Sequence, residues 1–285
     1  MGKCLDLTNK YVQWLKPQVE EKTGIRLENI VVNNISEHPK YGLEKHPNNA
    51  LMIVEWQMQD TVFMFENRYK NKPIEHACLG LAHELSHLLH FKLLNEEDSK
   101  FEPIESEYHS KAPLLSEKEY DKEYPKYKKK FDAHIERRKS IQYGFSNPKL
   151  SEGFAEYMSL DFFNYLYDSK TRNLALKQSA AFINHADENI PNSEIGYNFF
   201  RKVLSVIGRD KVFEVAKSPP ISKIEVRMPL LYLLRRYPLQ GVKNIPKFLT
   251  RSIKTKILKK KYGYAPFDFV EKGSGKGKVG KALPT

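Results

Sequence analysis

Apolar and polar residues alternate at helical spacing over residues 5–22, with Leu5, Tyr11, Val12, Leu15 and Val19 marking the apolar positions. Thr23-Gly24 supplies a glycine stop for that helix. Residues 25–35, rich in Ile and Val, predict a strand, and the turn formers His38-Pro39 and His46-Pro47-Asn48-Asn49 follow it. Two further strands are predicted at 50–56 and 61–65, joined by Gln57-Met58-Gln59-Asp60. Pro73 suits the first turn of a helix. That helix is predicted over 74–94, with Ala77, Leu81, Leu85, Leu88 and Leu89 as its apolar positions.

The pattern then changes. Residues 95–99 are acidic, and 117–130 mix charges with tyrosines and almost no aliphatic side chain, which predicts a solvated insertion, part loop and part charged helix. Apolar content returns at Leu150. An aromatic-rich helix is expected over 154–167, then helices at 174–184, 197–207 and 211–216 up to Pro219-Pro220, and further helical signal at 224–237 and 245–258. No internal repeat is visible. The fold class is α+β: a small N-terminal mixed sheet with one long helix (1–94), a charged insertion (95–148), an all-helical part (149–265) and a Gly/Lys-rich tail (266–285) that reads as disordered.

Composition adds limits. The 285 residues are 40% apolar and 29% charged, and 16 Phe, 16 Tyr and 2 Trp provide enough large groups for a core. No stretch reaches the roughly 20 apolar residues of a membrane span; the best run, 229–234, stops at Arg235-Arg236. The N-terminus lacks the apolar core of a signal peptide, and Asp6 stands where a myristoylation signal needs Ser or Thr. Cys4 and Cys78 are too few for a disulfide framework, so a reducing, cytoplasmic setting is expected. The net charge of +12 fits either a lysine-rich solvated surface or attraction to nucleic acid, anionic membrane or acidic protein. Basic and acidic residues are interspersed over most of the chain. The exception is the C-terminal segment with Lys247, Arg251, Lys254, Lys256, Lys259 and Lys260, followed by Lys272 to Lys278, the part through which nucleic acid would bind.

The helix predicted over 74–94 contains His83-Glu84-Leu85-Ser86-His87. Positions four apart lie one above the other on a helix face, so both imidazoles can reach one ion. Glu84 is turned about 100° from His83, where it can act on a water without ligating the metal. The flanks Cys78 to Ala82 and Leu88-Leu89 make this a buried helix, and buried histidines need partners. Zinc needs a third protein ligand. The metzincin arrangement is excluded, because His90 stands where its glycine would be and Leu93 where its third histidine would be. A glutamate from a second helix is the other solution, and Leu150-Ser151-Glu152-Gly153-Phe154-Ala155-Glu156-Tyr157 offers one. Glu152 would bind the ion. Glu156, one turn on, would hold a ligand histidine through its ring N–H.

Together the two motifs resemble those of the gluzincin metallopeptidases, the superfamily of thermolysin and aminopeptidase N, and the Glu-Gly-Phe-Ala-Glu-Tyr segment is most similar to the peptidase MA-like group. The resemblance covers about residues 50–215 and implies a zincin-like fold, one Zn2+ on His83, His87 and Glu152, Glu84 as general base, Glu156 as the acidic residue four after the ligand, and a peptide or protein substrate. The gap between His87 and Glu152 is longer than in those two enzymes, which loop closure tolerates. The aminopeptidase signature Gly-x-Met-Glu-Asn is absent; Met64-Phe65-Glu66-Asn67 only echoes its end. An endopeptidase with an edge strand at 61–65 pairing an extended peptide is therefore expected. Donors to a transition-state oxyanion could be Tyr197, His185 or Tyr157, and Tyr197 is chosen because 195–203 resembles the helix after the site in the peptidase MA-like group. His90 is assigned a supporting role, His109 and His134 a solvated one, and Glu107 or His109 is an alternative third ligand. The His83 to His90 segment also resembles the ImmA/IrrE-type peptidases that cleave repressors, for which the basic surface would favour a nucleic-acid-bound substrate. A non-catalytic, zinc-stabilised interaction scaffold is the alternative outside enzymes. Oligomeric state is left open.

Overall fold

The computed structural model describes residues 3–27, 30–35, 52–54, 61–65, 69, 72–100, 103, 106, 110, 116–184 and 192–246. Helix α1 (Lys3–Thr23) leads to a three-stranded sheet of β1 (Val31–Asn34), β2 (Met52–Val54) and β3 (Thr61–Met64), in the order β1-β3-β2. β1 runs parallel to β3, with Val31 opposite Thr61, and β2 runs antiparallel to it, with Met52 opposite Met64. The sheet is mixed, as the sequence pattern suggested, but β3 is its middle strand. Strand 61–65 is therefore not an edge and cannot receive a peptide, because both its sides are already paired.

The strand expected over 25–35 contracts to Val31–Asn34. Gly24 takes a positive φ of 71° and ends α1. The following residues are then tied back onto the helix: Ile25 N–H donates to Thr23 Oγ1, and Leu27 N–H to Glu20 Oε1 at 2.7 Å. Asn9, from α1, bonds both backbone groups of Val32 at 3.0 Å, which closes the outer side of β1 at that residue.

Helix α2 (Ile74–Ser99) is longer than its apolar pattern, because the acidic residues 95–99 continue it. Almost every residue from Ala77 to His90 is buried, so this is the central helix. The charged helix expected within the insertion is present, but it is not wholly solvated. Residues Glu117–Ser146 form one helix, α3, about 45 Å long at 1.5 Å per residue. Its second half is packed: His134, Ser140 and Ile141 are buried, and a Cβ on Gly144 would come within 2.8 Å of Pro219. His134 is thus not the solvated residue expected.

Helix α4 (Pro148–Tyr157) starts with Asn147 accepting a bond from Lys149 N–H and with proline in its first turn. The single helix expected over 154–167 is three pieces: the end of α4, a π-helical turn at Met158–Phe162 and a 3-10 turn at Phe163–Leu166. Then come α5 (Ser169–Asn184), α6 (Asn192–Ile207), α7 (Val212–Lys217), α8 (Lys223–Arg227), α9 (Pro229–Arg236) and a last helix at 238–246. The helix expected through 258 and the 266–285 tail lie outside the described residues. One buried cluster runs from Tyr11 through Leu85, Phe154 and Phe200 to Leu233, joining the sheet to the helices, and Leu94 with Ile141 forms a smaller one between α2 and α3. No helix among the described residues is long and apolar enough to cross a membrane.

Candidate metal centre

Helices α2 and α4 meet at the site. α2 brings His83, Glu84 and His87, and α4 brings Ser151, Glu152 and Glu156. The position of α4 is set on its other side. A Cβ on Gly153 would lie 2.2 Å from Gly196 Cα, and one on Gly196 would lie 1.7 Å from the Lys149 carbonyl oxygen. Backbone therefore touches backbone where α4 crosses α6, which only glycine allows. Glu152 and Ser151 sit immediately before that crossing, so the glycine contact aims them at α2.

The histidines face each other across one helical turn, with their Nε2 atoms 3.0 Å apart. Glu152 closes the triangle: its Oε2 is 3.3 Å from His83 Nε2 and its Oε1 is 3.6 Å from His87 Nε2. Ligand atoms of these three residues all lie within 4.8 Å of one another, a group that could hold a metal ion. The outer nitrogens are also engaged. His83 Nδ1 is 3.6 Å from Glu156 Oε1, an ion-pair distance, and His87 Nδ1 is 2.9 Å from Ser151 Oγ. With Glu156 and Ser151 at the two Nδ1 atoms, a metal ion that replaced the Nε2 protons would find both Nε2 lone pairs directed inward. Solvent reaches the cluster from the Glu152 side, whose side chain is 43% exposed against 9% for His87.

The local field is negative. Burial opposes ionisation of Glu152, but hydrogen bonds from His83 and His87 outweigh it and hold its carboxyl well below the usual carboxylate range. Burial likewise works against a charged His83, yet Glu156, Glu152 and Glu84 outweigh it and raise its pKa well above 6.5. Glu84 is buried, and desolvation pushes its pKa up, against the opposing pull of the two histidines. Among the described residues no Lys or Arg forms an ion pair with Glu84, Glu152 or Glu156. Three carboxylates around two imidazoles thus attract a cation, be it a proton or a metal ion.

Of the residues singled out in the sequence, His83, Glu84, His87, Glu152 and Glu156 come together. Tyr197 does not belong with them as a donor. It is fully buried, its hydroxyl donates to Asp161 Oδ2 at 2.7 Å, and it shares a 2.5 Å bond with Ser179. That hydroxyl is held by an internal network and is withdrawn from the site. Tyr157 is buried against Tyr197 and Phe200, and burial raises its pKa. His90 is buried, stacks on Phe154 with centroids 4.7 Å apart, and stays neutral because burial, then His87, lowers its pKa to about 3. Its role is packing. Glu107, His109 and His185 lie outside the described residues, as do Glu66 and Asn67. Ser151 is the residue that sequence reasoning missed; its signal is only its place beside Glu152, since a hydroxyl partner for a ligand histidine has no spacing of its own.

Comparison with protein-family models, curated proteins and solved structures finds no match to this chain. What the fold and the site establish is an α+β protein, mostly helical, with a His-His-Glu group able to hold a metal ion.

Proposed function

We propose that this chain is a zinc-dependent peptidase of the gluzincin type on a zincin-like scaffold. The observation that carries the reading is the convergence of His83 and His87 from α2 and Glu152 from α4, with Glu84 buried on the helix of the two histidines. Zinc with tetrahedral bonds of about 2.05 Å places its ligand atoms about 3.4 Å apart. The observed separations of 3.0, 3.3 and 3.6 Å bracket that value. Two imidazoles and one carboxylate are a donor set zinc favours, and the exposed flank at Glu152 leaves room for a further ligand.

His83, His87 and Glu152 would hold the ion, which when bound supplies a Lewis acid for a peptide carbonyl and lowers the pKa of a water. Glu156 and Ser151 hold the two imidazole rings in orientation and tautomer. Glu84 accepts a proton from the attacking water and delivers it to the leaving amine nitrogen. Burial keeps competing water away from that carboxylate. The lack of the aminopeptidase signature favours internal cleavage, and an extended substrate adding to the sheet would do so at β2, because the other edge strand, β1, is closed at Val32 by Asn9.

The test is Glu84→Gln, with zinc content by elemental analysis beside hydrolysis of a fluorogenic peptide library. The variant should retain zinc and lose turnover by about 10²- to 10⁴-fold. A variant as active as the parent would overturn the role of Glu84. A parent that binds zinc and cleaves no peptide would replace the enzyme reading with a metal-stabilised scaffold.

A further inference from the structure

Charge along this chain is divided sharply. Residues 1–220 contain 31 basic and 32 acidic side chains, whereas residues 221–285 contain 16 basic and 3 acidic. Within 221–261 the count is twelve basic to one acidic, Glu225, so this short stretch accounts for eleven of the twelve net positive charges. Glu225 itself is buried and bonded to Arg235 through both oxygens.

The same stretch holds the exposed apolar surface. Of the eight large hydrophobic side chains exposed among the described residues, six lie between 221 and 242: Ile221, Ile224, Met228, Leu231, Leu239 and Val242. Leu239 is 83% exposed, Ile224 and Val242 61%. Ile224, Met228 and Leu231 follow at spacings of four and three; Met228, at φ −119° and ψ 73°, is the junction between α8 and α9, with its N–H on Ile224 O and its carbonyl accepting from Leu231 N–H. All three are exposed within eight residues of chain. Exposed Lys223, Arg227 and Lys243 flank these side chains.

We infer that residues 221–246 form a docking surface for an anionic phospholipid bilayer, on which the protein lies peripherally. Aliphatic side chains enter the acyl boundary while Lys and Arg meet acidic headgroups, the combination by which an interfacial helix binds. The residue types argue against the other occupants. A phosphodiester backbone rewards polar hydrogen-bonding and aromatic side chains beside the cations, yet the six exposed hydrophobics here are all aliphatic. A second copy of this surface would set like charges face to face. So would the chain's own continuation, since 247–261 carries seven basic residues and no acidic one.

The experiment is co-sedimentation of the full chain with vesicles of phosphatidylcholine alone or mixed with phosphatidylserine. Two variants accompany it: Met228→Ser/Leu239→Ser/Val242→Ser, and Lys223→Gln/Arg227→Gln/Lys243→Gln. All six side chains are exposed, and circular dichroism checks folding; Leu239→Ser alone is the milder substitute if the triple variant misfolds. The parent should bind the mixed vesicles and not pure phosphatidylcholine. Each variant should bind about tenfold more weakly or worse. Four outcomes overturn the inference. These are no binding of the parent to mixed vesicles, an apolar variant that binds like the parent, duplex DNA bound by the parent in place of vesicles, and a parent dimer that the apolar variant dissociates.

Discussion

Helix α2 takes part in two acidic clusters, an N-terminal one around Glu84 at mid-helix and a C-terminal one around Glu97, and they are built on opposite principles. At the C-terminal end Glu97 is 3% exposed and receives hydrogen bonds from Lys100 and Arg137, with Lys217 4.0 Å away. Every carboxylate oxygen there meets a cationic side chain, so the cluster is complete as protein alone. In the N-terminal cluster Glu84, Glu152 and Glu156 surround two imidazoles, and the histidines are the only ion-pair partners of Glu152 and Glu156 among the described residues. Both clusters perturb ionisation, so perturbed pKa values by themselves do not distinguish a structural ion pair from a functional centre. Charge balance does: the first cluster supplies its own cations, and the second requires one from outside.

The sharpest way to break this contrast is to remove a carboxylate from each cluster and measure zinc. Glu152→Ala should lower zinc affinity by more than the ten- to hundredfold typical for loss of an outer partner, because a direct ligand is removed. Glu97→Ala should leave zinc stoichiometry unchanged. Zinc retained by Glu152→Ala would mean that the geometry at the N-terminal cluster does not bind metal through this residue. In the parent, chelation should lower the melting temperature, since an ion that binds only the folded state stabilises it by mass action.

Next in size is the glycine crossing that holds α4 in place. Gly153→Ala puts a methyl group into the backbone of Gly196, which cannot swing aside as a side chain could. A loss on the order of 3 kcal/mol is expected in urea unfolding, the upper end of overpacking costs. It should be accompanied by weaker zinc binding, because Glu152 precedes the crossing. A Gly153→Ala variant as stable as the parent would show that α4 and α6 can separate without consequence.

The parts of this site that could be read from the sequence are those with a period. His83 and His87 are four apart on an apolar background, and Glu152 and Glu156 repeat that spacing on a second helix, so each pair announces a shared face. Which helices meet is carried by pairwise contacts instead. Gly153 and Gly196 are separated by more than forty residues, and neither signals the other. For the same reason nothing in the sequence marks Ser151, and Tyr197 reads as a site residue although its hydroxyl is tied to Asp161 and Ser179. The sheet shows the same limit: three strands were legible, but not that β3 lies between the other two, since pairing order is not written in alternation. The charged segment is not wholly solvated because α3 buries His134, Ser140 and Ile141 in its second half, among charged neighbours that hide the pattern.

The Glu97 cluster also has its own pH signature. Burial disfavours the charged form, but Lys100 and Arg137 outweigh it and lower the pKa from 4.5. A carboxylate with a lowered folded pKa contributes stability above its unfolded value, and that contribution is lost as pH falls through the folded one. The parent should therefore lose stability below pH 4.5 more steeply than Glu97→Ala. At neutral pH the variant should be about 2 kcal/mol less stable, below the usual cost of breaking a buried pair because Arg137 and Lys100 are half exposed. Parallel acid limbs in the two proteins would remove Glu97 from the account.

The smallest effect separates orientation from ligation within the metal cluster itself. Ser151 touches His87 Nδ1 at 2.9 Å and is not itself one of the three residues that could hold the ion. Ser151→Ala deletes one hydrogen bond and leaves the three donor groups in place. Zinc affinity should fall by about tenfold, the lower end for an outer partner. Stability of the metal-free protein should change by no more than about 1 kcal/mol. Ser151→Thr keeps the hydroxyl and should restore most of the affinity. If Ser151→Ala and Ser151→Thr bind zinc equally well, the ring of His87 is held by packing against its own helix, and the hydroxyl contributes nothing to the centre.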